Sequence, residues 1–206
     1  MTPVALYGAF ALPFFLNDLL FAALDGGYGV YLADYATRLA VLIALLAWPA
    51  ARAAVRAEPD AVLAIWRGAA LVVLLVLAGR LLWLVVGDEV EALDEATALF
   101  EFGAIDDPVL NWIDLTFGLL LVAVTEELVF RRLALRALEQ FGAGALATVV
   151  LSALVFALMH WGGGVGQVLY AFVIGALYMA FYRRVRVIWP FMAAHWIENF
   201  VAFGPF

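Results

Sequence analysis

Seven apolar segments, most of them about long enough to cross the hydrocarbon core of a bilayer as a helix, take up most of this chain. They cover residues 3–24, 32–55, 62–86, 109–132, 143–161, 165–182 and 188–203. A helix rises about 1.5 Å per residue, so roughly 20 residues span the ~30 Å of a membrane interior. The breaks are Asp25-Gly26-Gly27, Glu58-Pro59-Asp60, an acidic stretch at 87–108, Gly142-Ala143-Gly144, Gly162-Gly163-Gly164 and residues 183–187. Glycine, proline and charge are the usual punctuation between spans. Hydrophobic residues make up 67% of the chain and charged ones 14%, whereas soluble domains have about 45–50% and about 25%. A water-soluble enzyme, a nucleic-acid binder and a disordered chain are poor fits. The expected fold is an all-α polytopic transmembrane bundle of about seven spans. It forms one integral membrane domain: three N-terminal helices plus an acidic extramembrane loop (1–108), then the remaining helices (109–206).

The absent residue types narrow the chemistry. The chain has no Cys and no Lys, one serine (Ser152, in Leu-Ser-Ala) and two histidines, His160 and His195. Thiolate nucleophiles, disulfides, Schiff bases and Ser–Lys dyads are excluded. The two histidines lie too far apart in sequence for a His-Glu-x-x-His zinc helix. Polar chemistry therefore falls to carboxylates, two imidazoles, arginines and a few amides.

Net charge is −7, and eight acids fall within 87–108 with no basic residue among them; the rest of the chain is close to neutral. The stretch reads as a solvated loop or as a short amphipathic surface helix with Val90, Leu93, Ala96, Thr97 and Phe100 on one side. Its charge carries no message about nucleic acid, and none is expected as a partner. Arg52, Arg56 and Arg67, then Arg131, Arg132 and Arg136, then Arg183, Arg184 and Arg186 flank alternate connections. With seven spans these share one face, which places the N-terminus in the cytoplasm and the C-terminus outside. The N-terminus has no basic n-region or small-residue cleavage site, so the first segment reads as a retained helix. Absence of Lys with abundant Ala and Arg suggests a GC-rich bacterial genome, hence an inner-membrane location.

Ionisable residues inside a membrane segment are costly, so they are functional candidates by default. The fourth segment carries Thr125-Glu126-Glu127-Leu-Val-Phe-Arg131. Glu127 and Arg131 stand four apart and can pair on one face, while Glu126 projects about 100° away. The fifth segment ends Phe156-Ala-Leu-Met-His160-Trp161, and the seventh contains His195-Trp-Ile-Glu198-Asn199. His195 and Asn199, also four apart, share a helix face. If the fourth and fifth segments turn back to back at 142–144, Glu126 and His160 lie at matching depth. Gly162–Gly164 would then be buried too, and its backbone groups need partners or a water-filled cavity.

Glu126-Glu127-x-x-x-Arg131, Phe156-x-x-x-His160 and His195-x-x-x-Asn199 resemble, in order, the three motifs of the intramembrane glutamic endopeptidases. These comprise the type II CAAX prenyl proteases and the bacteriocin-processing (CPBP, Abi) proteins. The resemblance covers about residues 115–203 and no motif position departs from the pattern. It implies a membrane peptidase cutting near a terminus of a protein or peptide substrate, lipid-anchored or membrane-spanning, within membrane lipid. It also implies Glu126 as general base, His160 assisting, His195 and Asn199 as oxyanion hole, and Glu127 and Arg131 in support. No cofactor is implied. Two other readings stay open from the residues: a metal-dependent peptidase with Glu126, His160 and His195 as ligands, and a non-catalytic scaffold or immunity-type binding protein.

Overall fold

The computed structural model describes residues 2–24, 27–56, 63–100, 102, 103 and 105–204. Within them the chain is all-α, with eight helices. The expected turns at Asp25-Gly26 and Glu58-Pro59-Asp60, and Glu101 of the acidic stretch, lie outside the described residues.

Helix α1 is Pro3–Leu24, as the hydropathy predicts. The second apolar segment is split, into α2 (Tyr28–Ala47) and α3 (Pro49–Val55). Trp48 between them is extended, because the residue before a proline is pushed out of the helical region; Pro49 then starts α3. Helix α4 (Ile65–Thr97) runs 33 residues, well past the expected end of the third segment. The acidic stretch is therefore not a separate surface helix up to residue 97. Of its expected apolar face only Val90 is buried, while Leu93, Ala96 and Thr97 are exposed. Phe100 lies beyond the helix end, edge-on to Phe21 of α1.

Helix α5 is one continuous rod over 108–140. The Asp107 carboxylate caps it by accepting the N–H of Val109 at 2.8 Å and of Leu110 at 2.9 Å. Two π-helical turns, Asp114–Gly118 and Leu128–Leu133, interrupt the α-helical pattern. Such turns widen a helix locally and occur often at functional sites. Helix α6 (Ala145–Leu158) leads into a single 3₁₀ turn, Trp161–Gly163; α7 (Val165–Val185) and α8 (Trp189–Phe203) complete the fold.

Helices α6 and α7 pack along their lengths, α8 lies against α4 and α5, and α1 lies against α2 and α5. Small residues permit the close approaches, as expected where lipid provides no hydrophobic drive for association. At Gly79 of α4 a Cβ would meet the Glu198 carboxyl of α8, and at Gly68 it would meet the Trp189 indole. One apolar core joins Leu6, Phe10 and Phe14 to Val129, Phe130 and Phe156; a second joins Leu75 to Tyr178, Met179 and Phe191.

The outside is apolar and the inside is charged. Ile65 (83% exposed), Leu84 (76%) and Leu146 (76%) face outward, while Arg38, Glu126, Glu127, Arg131 and Arg132 are buried. Water would not tolerate so much contiguous exposed hydrocarbon, whereas lipid is its natural solvent. Helices α1, α2, α4 and α7 are long and apolar enough to cross a membrane. The chain is a polytopic helical membrane protein. Helices α6 and α8, at 14 and 15 residues, are shorter than that measure requires, so the sevenfold span count does not follow from length alone.

Candidate active site

Glu126 and Glu127 close the α-helical part of α5 just before its second π turn, at 2% and 0% exposure. They face different partners. Glu127 Oε2 lies 3.3 Å from Arg131 Nε, the pairing expected from their spacing. The Arg131 guanidinium is sandwiched over the rings of Phe156 (4.3 Å) and Tyr178 (5.5 Å). Inside the widened turn the Phe130 carbonyl accepts the Ser152 hydroxyl at 2.9 Å, so the sole serine ties α6 to α5.

The two imidazoles approach from α8 and from the end of α6. His195 Nδ1 is 3.0 Å from Glu127 Oε1 and Nε2 is 3.8 Å from Glu126 Oε2, so one ring bridges the two acids. His160 Nδ1 is 2.9 Å from the Phe156 carbonyl. A carbonyl only accepts, so Nδ1 carries the proton, and Nε2 of the neutral ring is left as an acceptor. Glu126 and His160 are close enough to interact electrostatically, and the Phe156 ring packs against both His160 and His195. Asn199, one turn beyond His195, is half-buried and makes no side-chain hydrogen bond to a described residue. Among the described residues no three His, Asp or Glu side chains are grouped to hold a metal ion.

All of these residues fall within one matched stretch: residues 108–201 fit the family model described as type II CAAX prenyl endopeptidase, Rce1-like. Over residues 108–201 the chain is similar to an Rce1-like domain. The family is one of CAAX-type intramembrane proteases. Neither the curated proteins nor the solved structures gave a match.

Most backbone groups of the glycine run beside His160 find partners in the protein. Gly162 N–H donates to Asp18 Oδ2 of α1 at 2.9 Å, and Gly162 C=O accepts Leu99 N–H at 2.8 Å. Val165 N–H donates to Thr97 Oγ1 and Gln167 N–H to Asp94 Oδ1, so the end of α4 caps α7 from outside its own chain segment. Gly164 sits at φ +114°, a conformation that favours glycine. Part of the acidic stretch thus has a structural task.

Sequence reasoning missed every contribution from outside the matched stretch 108–201. Arg38 of α2 donates from Nη1 to Glu126 Oε1 at 2.7 Å, and its Nε reaches both oxygens of Asp34, at 2.9 and 2.7 Å. Asp34 and Arg38, four apart inside an apolar segment, were the available signal. Asn17-Asp18 in α1 is a second one. Glu198 was also passed over: it accepts the hydroxyl of Tyr178, one of the two rings around Arg131, at 3.0 Å.

Proposed function

We propose that this protein is an intramembrane endopeptidase that hydrolyses a peptide bond near a terminus of a membrane-associated protein or peptide. The observation that carries the reading is a buried cluster of two glutamates and two imidazoles inside a lipid-facing bundle, lying within the matched stretch. Glu126 Oε2 takes a proton from water, with His160 Nε2 accepting the water's other hydrogen bond. The oxygen adds to the scissile carbonyl carbon, and the resulting oxyanion accepts hydrogen bonds from His195 Nε2–H and Asn199 Nδ2–H. Glu126 then returns the proton to the departing amine nitrogen. Glu127 accepts from His195 Nδ1–H, so for Nε2–H to donate as well the ring acts as an imidazolium held beside the two acids.

The test compares protein termini by mass spectrometry in host membranes carrying wild type or Glu126→Gln at equal levels. Specific new termini that vanish in the variant are expected, and they name the substrate and cut site. Identical profiles would overturn the reading. Asn199→Ala is expected to lower kcat by about 10²–10³ with little change in KM, since its contact strengthens in the transition state. A pure rise in KM would remove the oxyanion role.

We further read the N-terminus as cytoplasmic. Arg132 and Arg136 donate to carbonyls at the end of α3, and Arg186 pairs with Glu139, which gathers the arginines at one end. Asp107 caps the opposite end of α5, about 40 Å away at 1.5 Å per residue, which exceeds the ~30 Å hydrocarbon. The chain has no native cysteine, so single cysteines at Arg52 and Asp106 report topology directly. Arg52→Cys should be shielded from an impermeant maleimide in intact cells and Asp106→Cys labelled; the reverse result inverts the orientation.

A further inference from the structure

A carboxylate inside a bilayer needs a counter-charge that stays fixed, and within residues 108–201 no arginine is free to supply one to Glu126. Arg131 is taken by Glu127 and by the two rings around it, and Arg132 is turned to the Val55 carbonyl and the Tyr182 hydroxyl. The charge comes instead from α2. Arg38 is 8% exposed and touches Glu126 through Nη1 alone; its Nε is fixed by Asp34. Asp34 is fixed in turn: Asn17 Nδ2 donates to its Oδ1 at 2.8 Å, and the Thr37 hydroxyl donates to Asn17 Oδ1 at 3.1 Å. Donors and acceptors alternate along Thr37, Asn17, Asp34, Arg38 and Glu126, so every link fixes the next.

This chain has a chemical consequence at Glu126. Its two oxygens are made inequivalent: Oε1 is held by Arg38 at 2.7 Å, and Oε2 faces the His195 ring at 3.8 Å. An oxygen engaged by guanidinium is a poor proton acceptor, while the other keeps its lone pairs for water. We propose that Arg38 is a positioning residue of the hydrolytic centre: it holds Glu126 Oε1 so that Oε2 is the oxygen presented to water, and Asp34 with Asn17 holds Arg38 in place. The proposal rests on Glu126 being the base. It gives the N-terminal helices a part in the reaction although they lie outside the matched stretch 108–201. A lysine cannot reproduce the arrangement, since one ammonium lacks the fork that reaches Asp34 and Glu126 together.

The test uses the full-length protein in host membranes. The readout is the rate at which Glu126-dependent termini accumulate, with melting of the detergent-solubilised protein measured in parallel for wild type, R38M, R38K, D34N and E126Q. Misplacing a reacting group costs on the order of 10²-fold in rate. R38M is expected to lose at least about 10²-fold and R38K about 10-fold, with D34N between wild type and R38M although its Arg38 is intact. That ordering should hold among variants of equal melting temperature, which a merely structural ion pair would not produce. Wild-type rates in folded R38M overturn the proposal while E126Q remains inactive. If R38M does not fold, wild-type rates in both R38K and D34N overturn it. An E126Q protein that still makes the termini removes the underlying reading instead.

Discussion

Glu126→Gln is expected to reduce cleavage by at least about 10³-fold while leaving the protein folded and at normal abundance. General-base assistance contributes typically 10²–10⁴-fold, and an amide oxygen is too weak a base to replace a carboxylate. The fold should survive because glutamine keeps the shape, and its carbonyl can still accept from Arg38 Nη1. Loss of the Glu126 charge leaves Asp34 and Arg38 as a neutral pair on α2, so no isolated charge is stranded. His160→Ala should cost about 10²-fold alone and little more in the Glu126→Gln background, because groups acting on one water are not additive. Initial rates on the termini that distinguish wild type from variant check both statements. Near wild-type turnover in the folded Glu126→Gln protein would end the glutamate mechanism.

What could be read from the sequence divides along a physical line. Solvent class was legible because it follows from composition, and the bounds of α1 and the Glu127–Arg131 pair were legible because they follow from local spacing. The break at Trp48 was legible in principle: hydropathy runs unbroken through 32–55, but Pro49 forces its neighbour out of the helix. The π turns of α5 leave no such trace, since no residue type marks a widened turn, and the turn is fixed only by what packs against it. Arg38 and Glu126 are 88 residues apart, and their pairing is decided by how α2 docks on α5. The capping of α7 by Asp94 and Thr97 is tertiary in the same way. Only the presence of an i,i+4 ion pair inside an apolar segment could have announced that α2 faces something charged.

That same inversion, charges inside and hydrocarbon outside, makes Arg131 the residue whose loss should damage the protein most. Arg131 is fully buried. Its guanidinium neutralises Glu127 and fills the gap between Phe156 and Tyr178. Arg131→Met keeps most of the bulk but leaves Glu127 as a buried carboxylate with only His195 beside it. Breaking a buried pair from one side costs about 3–5 kcal/mol, a large share of the roughly 5–15 kcal/mol that stabilises a typical domain. The expected result is a severalfold fall in protein recovered from membranes and a melting transition lowered by many degrees in detergent. Adding Glu127→Gln to Arg131→Met should recover much of that loss, because a pair removed from both sides leaves no uncompensated charge. The amide oxygen can still accept from His195 Nδ1, so the double variant also separates the two tasks of Glu127. Recovered yield with poor turnover would show that the carboxylate charge next to His195 matters to the reaction as well as to the fold. If Arg131→Met alone matches wild type in yield and melting, the pair contributes nothing to stability, and aromatic packing must hold this part of α5.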